Sequence, residues 1–217
     1  MFQMSRESLK NQRIRISEII CRLKKEYPDS KCSLIYDTPF QLLVATILSA
    51  QCTDERVNKV TSSIFPKYPD AASFSKLSAK QIGKLIYSTG FYNNKAKNIK
   101  AMSDTVANDY DGSIPENIDE LVQLPGVGRK TANVVLGNVF KIPALVVDTH
   151  VTRITNLLKF VNTKNAVIIE KELCKIVSSK DWSIFAHLLI DHGRKVCIAN
   201  RPQCNDCILN ELCPYYK

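Results

Sequence analysis

Leu124-Pro125-Gly126-Val127-Gly128-Arg129-Lys130-Thr131-Ala132 is the stretch whose reading decides the fold. Residues 116–123, just upstream, read as a short helix that Ser113 can cap, with Glu116 at the capping-box spacing. Pro125 ends that helix, because it lacks an N–H and fixes its own φ. Gly126 and Gly128 permit the tight reversal that a side chain would block. A second apolar-periodic run follows over residues 129–140. The unit is therefore helix, four-residue hairpin, helix. Its turn carries little side-chain bulk, and its amides sit at the positive end of a helix dipole, a surface suited to phosphate. Lys130 falls in the first turn of the second helix, where the dipole disfavours a cation and favours the neutral, nucleophilic amine.

Two features lift this unit above an ordinary helix–turn–helix corner with one solvated lysine. Asp148 follows 18 residues after Lys130, in Val146-Val147-Asp148-Thr149-His150. Near the end of the sequence, Cys197, Cys204, Cys207 and Cys213 are spaced C-x6-C-x2-C-x5-C. Four thiolates can hold a tetrahedral zinc or an iron–sulfur cluster. Structural zinc usually takes two close pairs, whereas here only Cys204 and Cys207 form one. The isolated first and last cysteines favour a larger cubane. The other four, Cys21, Cys32, Cys52 and Cys174, are scattered and read as free thiols.

The totals agree with a nucleic-acid binder. The chain has 217 residues, a net charge of +9 and a pI of about 9.1, which favours a polyanionic partner. Hydrophobic residues make up 45%, enough to fill a core, and only seven glycines accompany long helical patterns. Residues 1–13 are polar and lack the apolar core of an export signal, and no run approaches the roughly 18 apolar residues of a membrane helix. A soluble, intracellular, monomeric protein is expected, in the cytoplasm or nucleoid if the source is prokaryotic.

The chain resembles the endonuclease III family of helix-hairpin-helix DNA glycosylases. The resemblance is carried by Leu48-Ser49-Ala50-Gln51, Leu124 to Ala132, Val147-Asp148-Thr149-His150, His192-Gly193-Arg194 and the four cysteines, in family order from about residue 30 onward. It implies an all-α fold of two helical lobes. Residues 32–142 would form the lobe holding the hairpin, and residues 1–31 plus 143–217 the iron–sulfur lobe. A DNA cleft is expected between them, with Lys130 and Asp148 facing each other at its mouth. It also implies a 4Fe–4S cluster on Cys197, Cys204, Cys207 and Cys213, double-stranded DNA with damaged bases or abasic sites as partner, and Lys130 and Asp148 as the catalytic pair. By the same resemblance Gln51 enters the duplex when a base is flipped out, and Phe91 stands where the family commonly places a leucine wedge. Gly126, Val127, Gly128 and Arg129 would bind DNA at the hairpin.

Further helices are expected over residues 6–27, 39–51, 55–65 (capped by Thr53 or Asp54), 149–160 (capped by Asp148), 166–178 and 182–192, the last ended by Gly193. Ser78 opens another, with Gln81 at the capping-box position and Gly90 as its stop. The arginines and lysines of residues 6–27 read as a solvated face. Residues 84–103 hold four lysines and no acid beside Phe91 and Tyr92, a composition suited to DNA. Residues 142–147 read as a buried connection. His187 and His192 are superfluous as ligands beside four cysteines, and His150 reads as structural. Asp191 stands where the family favours an apolar residue.

The expected activity is base excision with strand cleavage 3′ to the abasic site, on oxidised pyrimidines. The alternatives are a monofunctional adenine or mismatch glycosylase and a non-catalytic iron–sulfur DNA-binding protein. Relatives of the first kind generally lack the lysine, and the adenine enzyme usually carries a further C-terminal domain, whereas this sequence stops four residues after Cys213. The second would have no need of Lys130 and Asp148.

Overall fold

The structure, a computed structural model, describes residues 7–216. Arg6, the first residue of the expected N-terminal helix, and the rest of residues 1–6 lie outside them. The described residues are helical and irregular, without strands. Two compact units divide the chain, Cys32–Ile142 and Met1–Lys31 with Pro143–Lys217.

Cys32–Ile142 is built on α2 (Pro39–Leu48), buried at every position from Phe40 onward. Pro39 occupies the first turn, and the Thr38 hydroxyl accepts the Gln41 N–H. Next comes α3 (Asp54–Ile64), capped by Thr53. The short α4 (Ala71–Ser75) and α5 (Ala79–Leu85) both start with capping boxes, Asp70 with Ser73 and Ser78 with Gln81. Both pack on α6 (Tyr92–Asp109), which buries Ala96, Ile99, Met102 and Val106. Between α5 and α6 a 3-10 turn, Tyr87–Thr89, leads into Gly90. Then follow α7 (Ile118–Leu121) and α8 (Arg129–Val135), and α8 lies against α2.

The other unit joins α1 (Leu9–Glu26) to α9 (Thr149–Leu157), α10 (Ala166–Ile176) and α11 (Trp182–Lys195). Ser8 caps α1, whose Ile16, Ile19, Ile20 and Leu23 are buried against α10 and α11. No helix among the described residues is long and apolar enough to cross a membrane.

Several expectations change. Ser113 does not cap α7. Its N–H closes a turn onto Tyr110, Pro115 disfavours helix at Ile114, and the cap is Asn117, which accepts the Glu120 N–H at 2.8 Å. The run after the hairpin is not one helix, because α8 passes at Leu136 into a π-helical segment, Leu136–Phe140, closed by Lys141 at φ +58°. Gly193 does not end α11, which continues to Lys195. A Cβ on Gly193 would stand 2.5 Å from His150 Nδ1, so this glycine lets α9 and α11 approach.

The basic face of α1 is not merely solvated. Arg15 pairs with Glu7, donates to the Leu158 and Leu212 carbonyls at 3.0 and 3.2 Å, and stacks on Phe160 at 4.1 Å. Arg22 donates to the Ile208 carbonyl, and Arg13 to the Lys175 carbonyl. Arg15 and Arg22 thereby hold the backbone between Cys207 and Cys213.

Candidate active site and cysteine loop

Hairpin geometry follows from Leu124-Pro125-Gly126-Val127. The Val127 N–H donates to the Leu124 carbonyl at 3.0 Å, and Gly126 has φ +78°. Proline second and a positive-φ glycine third define a type II turn. A Cβ on Gly126 would meet the Asn98 Cβ of α6 at 2.6 Å. Gly128 differs: its φ is −92°, and a Cβ there would meet nothing within 4 Å. Reversal therefore needs Gly126 alone, and Gly128 keeps the surface open. Val127 is buried and spends its amide on the turn, whereas the Gly126 and Gly128 amides reach no main-chain acceptor among the described residues. No side chain caps the start of α8. Arg129 and Lys130 are exposed in its first turn.

Gln51 and Phe91 share an unusual conformation. Both are exposed, Phe91 to 65%, and both take the left-handed region, at φ +54° and +48°. For side chains other than glycine this is strained, and such strain gathers at working sites. The four lysines of residues 84–103 do not form one solvent face. Lys100 is bound to Asp104 at 2.6 Å and to the Ser75 carbonyl, and Lys95 is buried, leaving Lys84 and Lys97 exposed. Sequence reasoning missed Lys95. Its signal was position, one helical turn before Ile99 on the apolar stripe of α6.

Asp148 lies in the other unit, half-buried, and its Oδ1 accepts the Val151 N–H at 2.8 Å as the N-cap of α9. The buried connection before it, Ala144 to Val147, fixes its approach. Asp191 accepts the Ser30 hydroxyl at 2.6 Å, which gives the unexpected acid a partner. Burial pushes His187 below the usual imidazole range, against the pull of Asp191 and Asp148.

Cys197, Cys204, Cys207 and Cys213 line one cavity together with His192, Ile154, Leu158 and Leu209. Among the described residues no three His, Cys, Asp or Glu side chains converge closely enough for a single metal ion. N–H donors do aim at the sulfurs. Arg153 Nη1 lies 3.4 Å from Cys197 Sγ, and the Leu209 amide 3.4 Å from Cys207 Sγ. His192 Nε2 lies 3.5 Å from Cys207 Sγ, while its Nδ1 meets the Tyr27 hydroxyl at 3.1 Å. Burial pushes Tyr27 up to about 12 and His192 down to about 4, so a protonated phenol meets a neutral ring that bridges it to the Cys207 sulfur. Burial also pushes the Cys197 and Cys207 thiols up, a cost that coordination to a metal would offset.

A type II hairpin between two helices, a lysine opening the second of them and an aspartate capping a later helix define a helix-hairpin-helix protein with a candidate nucleophile. A family model, the HhH-GPD superfamily base excision DNA repair protein, matches residues 44–179, and the chain belongs to that superfamily. Endonuclease III of Synechocystis sp. is 50% identical over 201 residues, 92% of each chain. Among solved structures, a non-covalent endonuclease III–DNA complex superposes with a TM-score of 0.89 at 41% identity, over 94% of this chain and 96% of that one. A trapped endonuclease III–DNA covalent intermediate gives 0.89 at 42%, with the same coverage.

Proposed function

We propose that this protein is a bifunctional DNA glycosylase and abasic-site lyase that removes oxidised pyrimidines from double-stranded DNA. The observation that carries this reading is Lys130, exposed at the uncapped start of α8 directly after the hairpin, in a chain similar to an endonuclease III over 92% of its length.

Hairpin amides at Gly126 and Gly128, with Arg129, hold the phosphates, and Val127 supports them by locking the turn. Gln51 and Phe91 enter the stack as the damaged nucleotide leaves it, Gln51 offering its amide to the orphaned base. Lys130 Nζ attacks C1′, the C1′–N bond breaks, and the base departs with a proton. The C1′–O4′ bond then opens, O4′ gaining a proton as Nζ loses one, which leaves an imine between Nζ and C1′. That imine acidifies the C2′–H, and β-elimination breaks the C3′–O bond, releasing the downstream strand with a 5′ phosphate. The protein does not bury Lys130, so exclusion of water around it falls to the bound DNA. Asp148 supports the positive charge developing on the sugar and takes part in the proton transfers.

The same reading assigns Cys197, Cys204, Cys207 and Cys213 as ligands of a 4Fe–4S cluster. Donors aimed at two of the sulfurs, and four thiols lining one cavity, support this assignment. Its contribution is to cross-link the loop of residues 197–213.

The test is borohydride trapping. Wild-type protein and Lys130→Ala are incubated with a thymine-glycol duplex and borohydride. The expected result is a covalent adduct with the wild type only. Base release without an adduct would indicate a monofunctional glycosylase. Tight binding with neither would overturn the substrate assignment, and an abasic duplex would then test the lyase step.

A further inference from the structure

Lys95 is 5% exposed, and among the described residues no carboxylate pairs with it. Burying an ammonium without a counter-charge is costly, and burial holds this one below the ordinary lysine range. What the side chain obtains in return is two main-chain carbonyls. Nζ donates to the Leu48 carbonyl at 2.8 Å and to the Thr89 carbonyl at 2.7 Å. Leu48 is the last residue of α2, so its carbonyl sits at the negative end of that helix dipole. Thr89 ends the 3-10 turn before Gly90.

Each carbonyl lies at the root of one exposed, strained tip. From Leu48 the chain runs through Ser49 and Ala50 to Gln51, and from Thr89 it runs through Gly90 to Phe91. The two roots are 41 residues apart in sequence, and a single buried ammonium joins them. An apolar residue at position 95 would suit the stripe of α6 without that burial cost.

We propose that Lys95 is a positioning residue that fixes the spacing of the Gln51 and Phe91 tips, so that both enter the duplex in one step of base extrusion. The proposal rests on the glycosylase reading above. Without the ammonium each tip still folds, but the pair is no longer held at the separation that the opened stack requires. Extrusion slows, whereas attack by Lys130 on a sugar already outside a helix does not.

Lys95→Met and Lys95→Gln separate these steps. Single-turnover excision of thymine glycol from a duplex is compared with cleavage of an abasic site held in an open bubble, on the same preparations. Duplex excision should fall on the order of tenfold or more, and bubble cleavage should stay within about twofold. An unfolded fraction lowers both rates alike and leaves their ratio unchanged. The rise of 2-aminopurine fluorescence opposite the lesion, which needs no chemistry, should slow with the duplex rate. In a Gln51→Ala/Phe91→Ala background, Lys95→Met should add nothing further to the duplex defect. Equal losses on both substrates, unchanged duplex excision, a full effect in that background, or failure of both variants to fold would overturn the proposal. If the wild type cleaves no abasic site, the lyase reading fails instead, and the fluorescence rise still reports on Lys95.

Discussion

The Cβ of Asn98 stands 2.6 Å from where a Gly126 side chain would begin, so helix α6 serves as the floor on which the hairpin turns. Gly126→Ala therefore meets both a positive φ and a collision. It should lower stability by roughly 2–4 kcal/mol, read by chemical denaturation. Gly128→Ala meets neither, and its stability should change by no more than about 1 kcal/mol. Its DNA affinity should nevertheless fall about tenfold, because a methyl group would occupy the open surface above a free amide. Paired melting and binding curves for the two variants check this contrast.

Asp148 holds a cap and is assigned a chemical role, and substitution separates the two. Asparagine caps as well as aspartate, so Asp148→Asn should leave stability within about 0.5 kcal/mol. Its single-turnover excision rate should fall on the order of a hundredfold or more, since the neutral amide cannot support a cationic sugar. Asp148→Ala should show the same kinetic loss together with about 1 kcal/mol of destabilisation.

Arg15 bonds two carbonyls, stacks on Phe160 and pairs with Glu7. Arg15→Met keeps apolar bulk but leaves the Leu158 and Leu212 carbonyls without their donor. A loss of about 2–3 kcal/mol is expected. Because Leu212 adjoins Cys213, the cluster proposed above should also lose iron to a chelator faster than in the wild type, which absorbance of the loaded protein would follow.

Gly193→Ala inserts a methyl group where His150 Nδ1 is 2.5 Å and Ile154 Cδ1 is 3.1 Å away. Separating α9 from α11 should reduce stability by about 1–3 kcal/mol. Hydrogen exchange along both helices would show whether the loss is local to that contact.

Much of this was legible in the sequence because helix starts are written in short-range chemistry. Thr53, Ser78 and Asp148 announce α3, α5 and α9 through side chains that reach only a few residues. Helix ends proved harder. Gly193 resembles a stop locally, and only the neighbouring helix explains it as a point of close approach. The arginines of α1 look solvated on a helical wheel, yet their acceptors lie about 145–200 residues away. The burial of Lys95 is written in its place on the α6 stripe, but its acceptors are not: they are carbonyls, which every residue carries, so no sequence pattern marks them.

The pairing of α1 with α10, α11 and the cysteine loop also bears on how the chain is made. α1 leaves the ribosome well before α10 and α11, the helices it packs against. At roughly 5–20 residues per second, the 164 residues from Lys31 to the end of α11 at Lys195 take about 8–33 s to synthesise. Over that interval Ile16, Ile19, Ile20 and Leu23 lack their full native cover, whereas Cys32–Ile142 holds all of its own sequence as soon as Ile142 is made. The hairpin unit can therefore mature during translation. The unit of the cysteines must wait for α10 and α11, and its first helix remains a natural client for chaperones until then.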